Sequence, residues 1–137
     1  MPAYLGFDYG EKRVGVALGD DLTQAARPLP ALASGDWPAI EKLIREWRPA
    51  ALIVGLPLDE HGGEQETSAA ARRFAAQLAQ RHTLPVHFAD ERYSSRAADD
   101  ALRDARASGR MTRRVRKGDR DAHAARVILE QWLAEQA

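Results

Sequence analysis

The sequence predicts an α/β domain built on a mixed sheet, and three observations carry that expectation. Two apolar runs near the start, Tyr4-Leu5-Gly6-Phe7-Asp8-Tyr9-Gly10 and Val14-Gly15-Val16-Ala17-Leu18-Gly19, are separated by a short polar turn and read as a β-hairpin. Further on, short apolar strands alternate with stretches of helical periodicity, the pattern of layered α/β architecture. One of those strands, Ala51-Leu52-Ile53-Val54-Gly55-Leu56, is almost wholly apolar, as a strand buried on both faces requires. The predicted order is βββαβαβαα, a mixed five-stranded sheet flanked by helices, in a single domain over residues 1–137.

After the hairpin, residues 25–32 can form a third strand. Pro28 and Pro30 interrupt it, which places it at an edge. A first helix is expected from about Asp36 to Trp47. Asp36 serves as N-cap, Pro38 sits in the first turn, and Ile40, Leu43, Ile44 and Trp47 recur at helical spacing before Pro49 stops the run. The buried strand 51–56 follows, then a polar, glycine-containing loop from Leu58 to Glu66. A second helix begins near Thr67 and turns Ala71, Phe74, Ala75 and Leu78 inward. Val86-His87-Phe88-Ala89 is the last strand. A third helix starts at Ser94 or Ser95, with Ala98, Leu102 and Ala105 inward, and a fourth runs from about Asp119 to Leu133.

The chain has 137 residues, enough to bury a core, and no cysteine. Disulfides, a thiolate nucleophile and cysteine-ligated zinc are therefore excluded. Met1-Pro2-Ala3 lacks a basic leader and the apolar runs are too short to span a bilayer, so a soluble cytoplasmic protein with no membrane partner is expected. Net charge is zero, but its distribution is uneven. Between Arg103 and Arg120 eight basic residues face only Asp104 and Asp119. Arg110, Arg113, Arg114, Arg116 and Lys117 crowd the middle of that stretch, between Gly109 and Gly118. Such a stretch is either a solvated loop or a contact for a phosphate backbone, and its density between glycines favours the contact.

Asp8 is a lone carboxylate in an apolar strand. Strand propensity disfavours Asp, and a buried unpaired carboxylate is costly. Two readings stay open: a cationic partner such as a metal ion, or an Asx-type cap on the turn at Gly10. Asp90 and Glu91 follow the last strand, and side-chain alternation allows only one of them to face a site shared with Asp8. Asp121 precedes Ala125 by four residues and Ile128 by seven, so it shares the inward face of the last helix. An acid favoured by the helix dipole is the alternative there. Asp119 suits an N-cap. A set of carboxylates without His or Cys ligands is a hard oxygen site for Mg²⁺ or Mn²⁺. Two such ions, roughly 3.5–4 Å apart, serve phosphodiester cleavage. His61, His82, His87 and His123 read as structural or exposed.

Taken together, several stretches resemble one family. They are Phe7-Asp8-Tyr9-Gly10 with Val14-Gly15-Val16-Ala17, Val54-Gly55-Leu56-Pro57, Asp90-Glu91-Arg92-Tyr93-Ser94-Ser95, and Lys117-Gly118-Asp119-Arg120-Asp121-Ala122-His123-Ala124-Ala125. In order and spacing, over nearly the whole chain, they are similar to the YqgF (RuvX-type) family. The resemblance implies an RNase H-like fold and a metal-dependent nuclease that processes the 5′ end of pre-16S ribosomal RNA. Holliday junction resolution, or another DNA cleavage, is the alternative function. It implies Asp8, Glu91 and Asp121 as the catalytic, metal-holding set, with Mg²⁺ or Mn²⁺ as cofactor. Gly62, Glu64 and Gln65 match a family loop.

Lys12, Arg13, Arg92, Arg110, Arg113, Arg114, Arg116 and Lys117 are the expected nucleic-acid contacts, with pre-rRNA favoured and structured or single-stranded DNA as alternatives. Arg92 either holds a phosphate, orients Glu91 or forms a surface ion pair. Two rival functions fit parts of the pattern. An actin-like or sugar-kinase ATPase shares the Asp-x-Gly loop but needs a second domain for which 137 residues leave no room. A non-catalytic nucleic-acid-binding module is opposed by the presence of all three carboxylates. The sequence leaves open RNA against DNA, endo- against exonuclease action, and monomer against homodimer.

Overall fold

A computed structural model describes residues 2–58, 61, 63–90 and 117–136, with the side chains of 117–121 left aside. The strands are β1 (Ala3–Tyr9), β2 (Arg13–Asp20), β3 (Ala26–Ala33), β4 (Ala51–Leu56) and β5 (Val86–Asp90). The helices are α1 (Trp37–Trp47), α2 (Glu66–Arg81) and α3 (Lys117–Glu135). The five strands form one sheet in the order β3-β2-β1-β4-β5. β2 pairs antiparallel with β1 and β3, whereas β1, β4 and β5 run parallel. β1 is thus the central strand, and the carboxyl ends of the three parallel strands share one edge.

Alternation along each strand splits the core into two layers. Leu5 and Phe7 of β1, Val14 and Val16 of β2, and Leu52, Val54 and Leu56 of β4 face α1 and α2, where they meet Ile40, Ala71, Phe74, Ala75 and Leu78. Ala17, Ala51, Ile53 and Ala89 face the other way, against Ala125, Ile128, Leu129 and Leu133 of α3. The buried strand, the inward residues of α2 and the C-terminal inward face thus sit where periodicity placed them.

The first helix also follows its local signals. The Asp36 side chain accepts from the Ala39 N–H at 3.2 Å, and Arg48 closes the helix in the left-handed region at φ 46°. β3 carries its prolines at the sheet edge, and its register with β2 shifts between Val14 and Val16. Several boundaries shift by a residue or two, and three of the shifts bear on the site. α2 begins at Glu66, Asp90 is the last residue of β5, and α3 begins at Lys117. Asp119 therefore lies inside the first turn of α3 instead of capping it. The helix expected from Ser94 or Ser95 lies outside the described residues.

α3 can lie this close to the sheet because Gly6 has no side chain. A Cβ there would stand 2.9 Å from Leu129 Cβ and 3.4 Å from the Ala125 carbonyl oxygen.

Candidate active site

Asp8 is the second-last residue of the central strand and is half-buried. It shares strand parity with Tyr4, which packs on Trp132 with ring centroids 5.4 Å apart, and with Gly6 beneath Leu129. Its side chain therefore belongs to the α3 face. Its antiparallel partner in β2 is Gly15. One residue beyond the Phe7–Val54 pair, the parallel register sets Gly55 on its other side. Gly55 is in turn paired with Ala89. The row across the sheet on this face is Gly15, Asp8, Gly55, Ala89. Glycine thus stands directly opposite the carboxylate on both sides.

The helix above carries the second element of the site. Tyr4 meets Trp132, and two residues further along β1 Gly6 meets Leu129 and Ala125, so β1 advances as α3 retreats toward its start. One strand step of two residues covers about 6.7 Å, the rise of about four to five helical residues. The next step places Asp8 level with the turn of α3 that contains Asp121 and Ala122. Ala122 is buried at 5% exposure. The positive end of the α3 dipole is directed at the same sheet edge, which favours anionic groups there.

Asp90 ends β5 with the parity of Val86 and Phe88, whose side chains lie toward α2, where Arg72 sits over the Phe88 ring at 5.2 Å. Asp90 is thus on the face opposite Asp8. Glu91, Arg92, Arg110, Arg113, Arg114 and Arg116 lie outside the described residues, and Lys117 is the first residue of α3. Among the described residues no three His, Cys, Asp or Glu side chains group to hold a metal ion. Of the expected site residues, Asp8 and the backbone of Asp121 are brought to one edge.

The hairpin turn places two of the expected phosphate contacts. Arg13 opens β2 half-buried and has the parity of Gly15, so it lies diagonally across from Asp8 on the α3 face. Lys12 is exposed in the turn, and its carbonyl accepts from the Ser34 N–H at 3.0 Å. His87 stacks on Trp132 at 5.3 Å, a packing role.

The loop between β4 and α2 shows what periodicity does not reveal. Ser68 is fully buried; its hydroxyl accepts from the Gln65 N–H at 2.9 Å and donates to the Pro57 carbonyl. Leu58 and Glu64 form an isolated antiparallel bridge, and Glu64 pairs with Arg72. Glu64 and Gln65 thus shape the loop beside the carboxyl end of β4. The available sequence signal was the Gln65-x-x-Ser68 spacing at a helix start. Gly15 and Gly55 were legible as glycines inside apolar strands, a mark of close approach.

A family model described as RuvX, Holliday junction resolvase, matches residues 2–135. A Cupriavidus necator protein named "Putative pre-16S rRNA nuclease" is 47% identical over 133 residues, covering 94% of this chain and 86% of the relative. A Legionella pneumophila protein of the same name is 47% identical over 136 residues, covering 96% and 95%. Among solved structures, Thermus thermophilus RuvC in complex with a Holliday junction substrate aligns at TM-score 0.61 and 16% identity, over 99% of this chain and 96% of that one. The yeast mitochondrial Holliday junction resolvase Ydc2 aligns at TM-score 0.56 and 11% identity, over 97% and 78%. At these identities the structures speak for the fold, which is that of RuvC, as the sheet order and flanking helices already indicate. A match from residue 2 to residue 135, with relatives nearly half identical along almost their whole length, makes this chain a member of the RuvX family.

Proposed function

We propose that the chain is a metal-dependent nuclease that hydrolyses phosphodiester bonds, with precursor 16S rRNA as its substrate. The observation that carries the reading is Asp8. A carboxylate stands at the carboxyl end of the central strand, between Gly15 and Gly55, level with the α3 turn of Asp121. The names of relatives at 47% identity support the substrate.

Glu91 completes the proposed set. It follows Asp90 directly, and Asp90 belongs to the face opposite Asp8, so Glu91 is the acid of the pair that the reading assigns to the site. The donor chemistry fits Mg²⁺ or Mn²⁺: carboxylate oxygens, no cysteine in the chain, and glycine on both sides of Asp8. Asp8, Glu91 and Asp121 would hold the ion. When bound, it supplies Lewis acidity to the phosphoryl oxygens and activates water.

The rest is done by the chain. β1, hydrogen-bonded on both sides, holds Asp8 in a fixed orientation. Arg13 on the same face and Lys12 in the adjoining turn bind phosphates flanking the scissile one. Arg92, Arg110, Arg113, Arg114, Arg116 and Lys117 extend that contact along the strand. Hydrolysis adds water across one P–O bond and leaves a phosphomonoester and a hydroxyl end.

A second reading, Holliday junction resolution, draws on the family description and on the RuvC-like fold. One experiment separates the two: purified protein with Mg²⁺ or Mn²⁺ against matched precursor rRNA, single-stranded DNA and four-way junction substrates. Cleavage of the RNA, lost in Asp8→Asn, Glu91→Gln and Asp121→Asn, is the expected result. Cleavage of the junction alone selects the second reading. No cleavage of any substrate leaves a non-catalytic binding module.

A further inference from the structure

On the face of the sheet opposite Asp8, at the same carboxyl edge, lies a cavity of about 200 Å³. Phe74 of α2, a core residue at 4% exposure, backs the cavity. Tyr9 lies against it with ring centroids 5.0 Å apart, and Trp37 of α1 stacks on it at 5.6 Å and 24°. The Arg81 guanidinium, 4.3 Å from the Trp37 ring centre, pins that indole in place. Arg73 and Gln77, one helical turn apart on α2, rim the mouth with exposed side chains, and Ser34 sits on the opposite wall. At Gly35 the mouth is open: a Cβ there would meet nothing within 4 Å.

The lining selects a ligand class. An aromatic wall takes a flat π-system. The Gln77 amide and the Ser34 hydroxyl each donate and accept, which suits the polar edge of a heterocycle. Arg73 suits a phosphate. The volume lies below the roughly 300–1,000 Å³ of pockets for drug-sized molecules, so it suits one ring system, not a peptide or a folded duplex.

Position ties the cavity to the reaction site. Tyr9 follows Asp8 in β1, so the two side chains leave opposite faces of adjacent residues. Ser34 donates its N–H to the carbonyl of Lys12, joining the cavity wall to the turn that carries Lys12 and Arg13.

We propose that this cavity is a subsite for one unpaired nucleotide of the RNA strand whose backbone reaches Asp8. Its base lies against the partly exposed rings of Tyr9 and Trp37, and its phosphate meets Arg73. The proposal rests on the reading of the chain as a nuclease and adds a requirement that a flanking base be unstacked. Trp37 and Gln77 are binding residues for that base; neither touches the scissile phosphate.

The test measures binding of a labelled single-stranded RNA to the full chain in EDTA, with one abasic residue moved along the RNA position by position. In wild type a single position should be sensitive, losing about fivefold or more in affinity, the low end for one base–aromatic stack. In Gln77→Ala and Trp37→Ala the intact RNA should bind more weakly, and the same abasic residue should cost little further, because the two changes remove one contact. Trp37→Phe should retain most of the effect. Gln77 is exposed, so its variant remains informative if Trp37→Ala fails to fold. An abasic scan with no sensitive position, or a loss equal in wild type and Gln77→Ala, overturns the proposal. Cleavage with Mg²⁺ or Mn²⁺ is scored separately. A sensitive position without any cleavage keeps the subsite and removes the nuclease reading, and cleavage without a sensitive position does the reverse.

Discussion

Asp8 concentrates the functional argument at the scale of single residues. It stands in the central strand with Gly15 and Gly55 directly opposite and Arg13 diagonal to it on the same face. If it holds a metal, Asp8→Asn should abolish cleavage and keep the fold. Ligand binding to the folded state alone stabilises by about 2.7 kcal/mol at a hundredfold excess over the dissociation constant. Thermal melts of wild type should therefore rise by several degrees in Mn²⁺, and those of Asp8→Asn should not. Equal shifts in both proteins would remove Asp8 from the metal site.

Asp20 offers a pH test at the same scale. The Thr23 N–H, donating to the Asp20 carboxylate at 2.8 Å, holds its pKa below the ordinary value, with the Thr23 hydroxyl adding to the effect. A lowered folded-state pKa means that the stabilisation is present above the unfolded value and lost as pH falls through the folded one. Asp20→Ala should therefore narrow its stability gap to wild type in acid. A gap that stays constant across the acid range would show that the turn contributes no linked proton.

Between elements, the decisive contact is α3 on β1. Gly6 sets its closeness, and that closeness places the Asp121 turn level with Asp8. In Gly6→Ala a smaller unfolded-state entropy would stabilise by about 0.4–1 kcal/mol. Crowding against Leu129 Cβ at 2.9 Å opposes it, and that atom, next to the helix backbone, cannot swing away. Overpacking typically costs about 1–3 kcal/mol and wins. Gly6→Ala should lower stability in denaturant melts and reduce turnover more than substrate affinity. Full turnover in Gly6→Ala would show that the α3 position is not critical. The loop after β4 depends on Ser68. Ser68→Ala leaves the Gln65 N–H and the Pro57 carbonyl without this partner, for a loss of about 1–3 kcal/mol. Faster proteolysis between Pro57 and Gln65 is the accompanying readout.

Charge is a property of the whole molecule. The chain is neutral overall, yet eight basic residues stand against two acids between Arg103 and Arg120. If that stretch lies along a phosphate backbone, the affinity for single-stranded RNA should fall with salt, with a slope of log K on log salt of roughly −0.7 per phosphate contacted. Replacing Arg113, Arg114 and Arg116 with Ala should flatten the slope and raise KM more than it lowers kcat. An unchanged slope would make the stretch a solvated surface.

The sequence alone determined the α/β class, the edge position of the proline-bearing β3, the Asp36 cap and the inward faces of α2 and α3. Each of these follows from a local period or a local hydrogen bond, and such signals span only a few residues. It also singled out Asp8, because a carboxylate in an apolar strand is costly wherever the strand goes. Tertiary structure decided what depends on register between distant segments. Gly15 and Gly55 became the neighbours of Asp8 through pairing with β2 and β4, and Asp90 was assigned to the α2 face by the packing of Val86 and Phe88. Tyr9, Trp37 and Phe74, far apart in the chain, met in one cavity only when α1 and α2 packed on the same side of the sheet. Periodicity tells which face of an element is buried; which other element it is buried against is settled by long-range packing, and the site and the cavity are both made there.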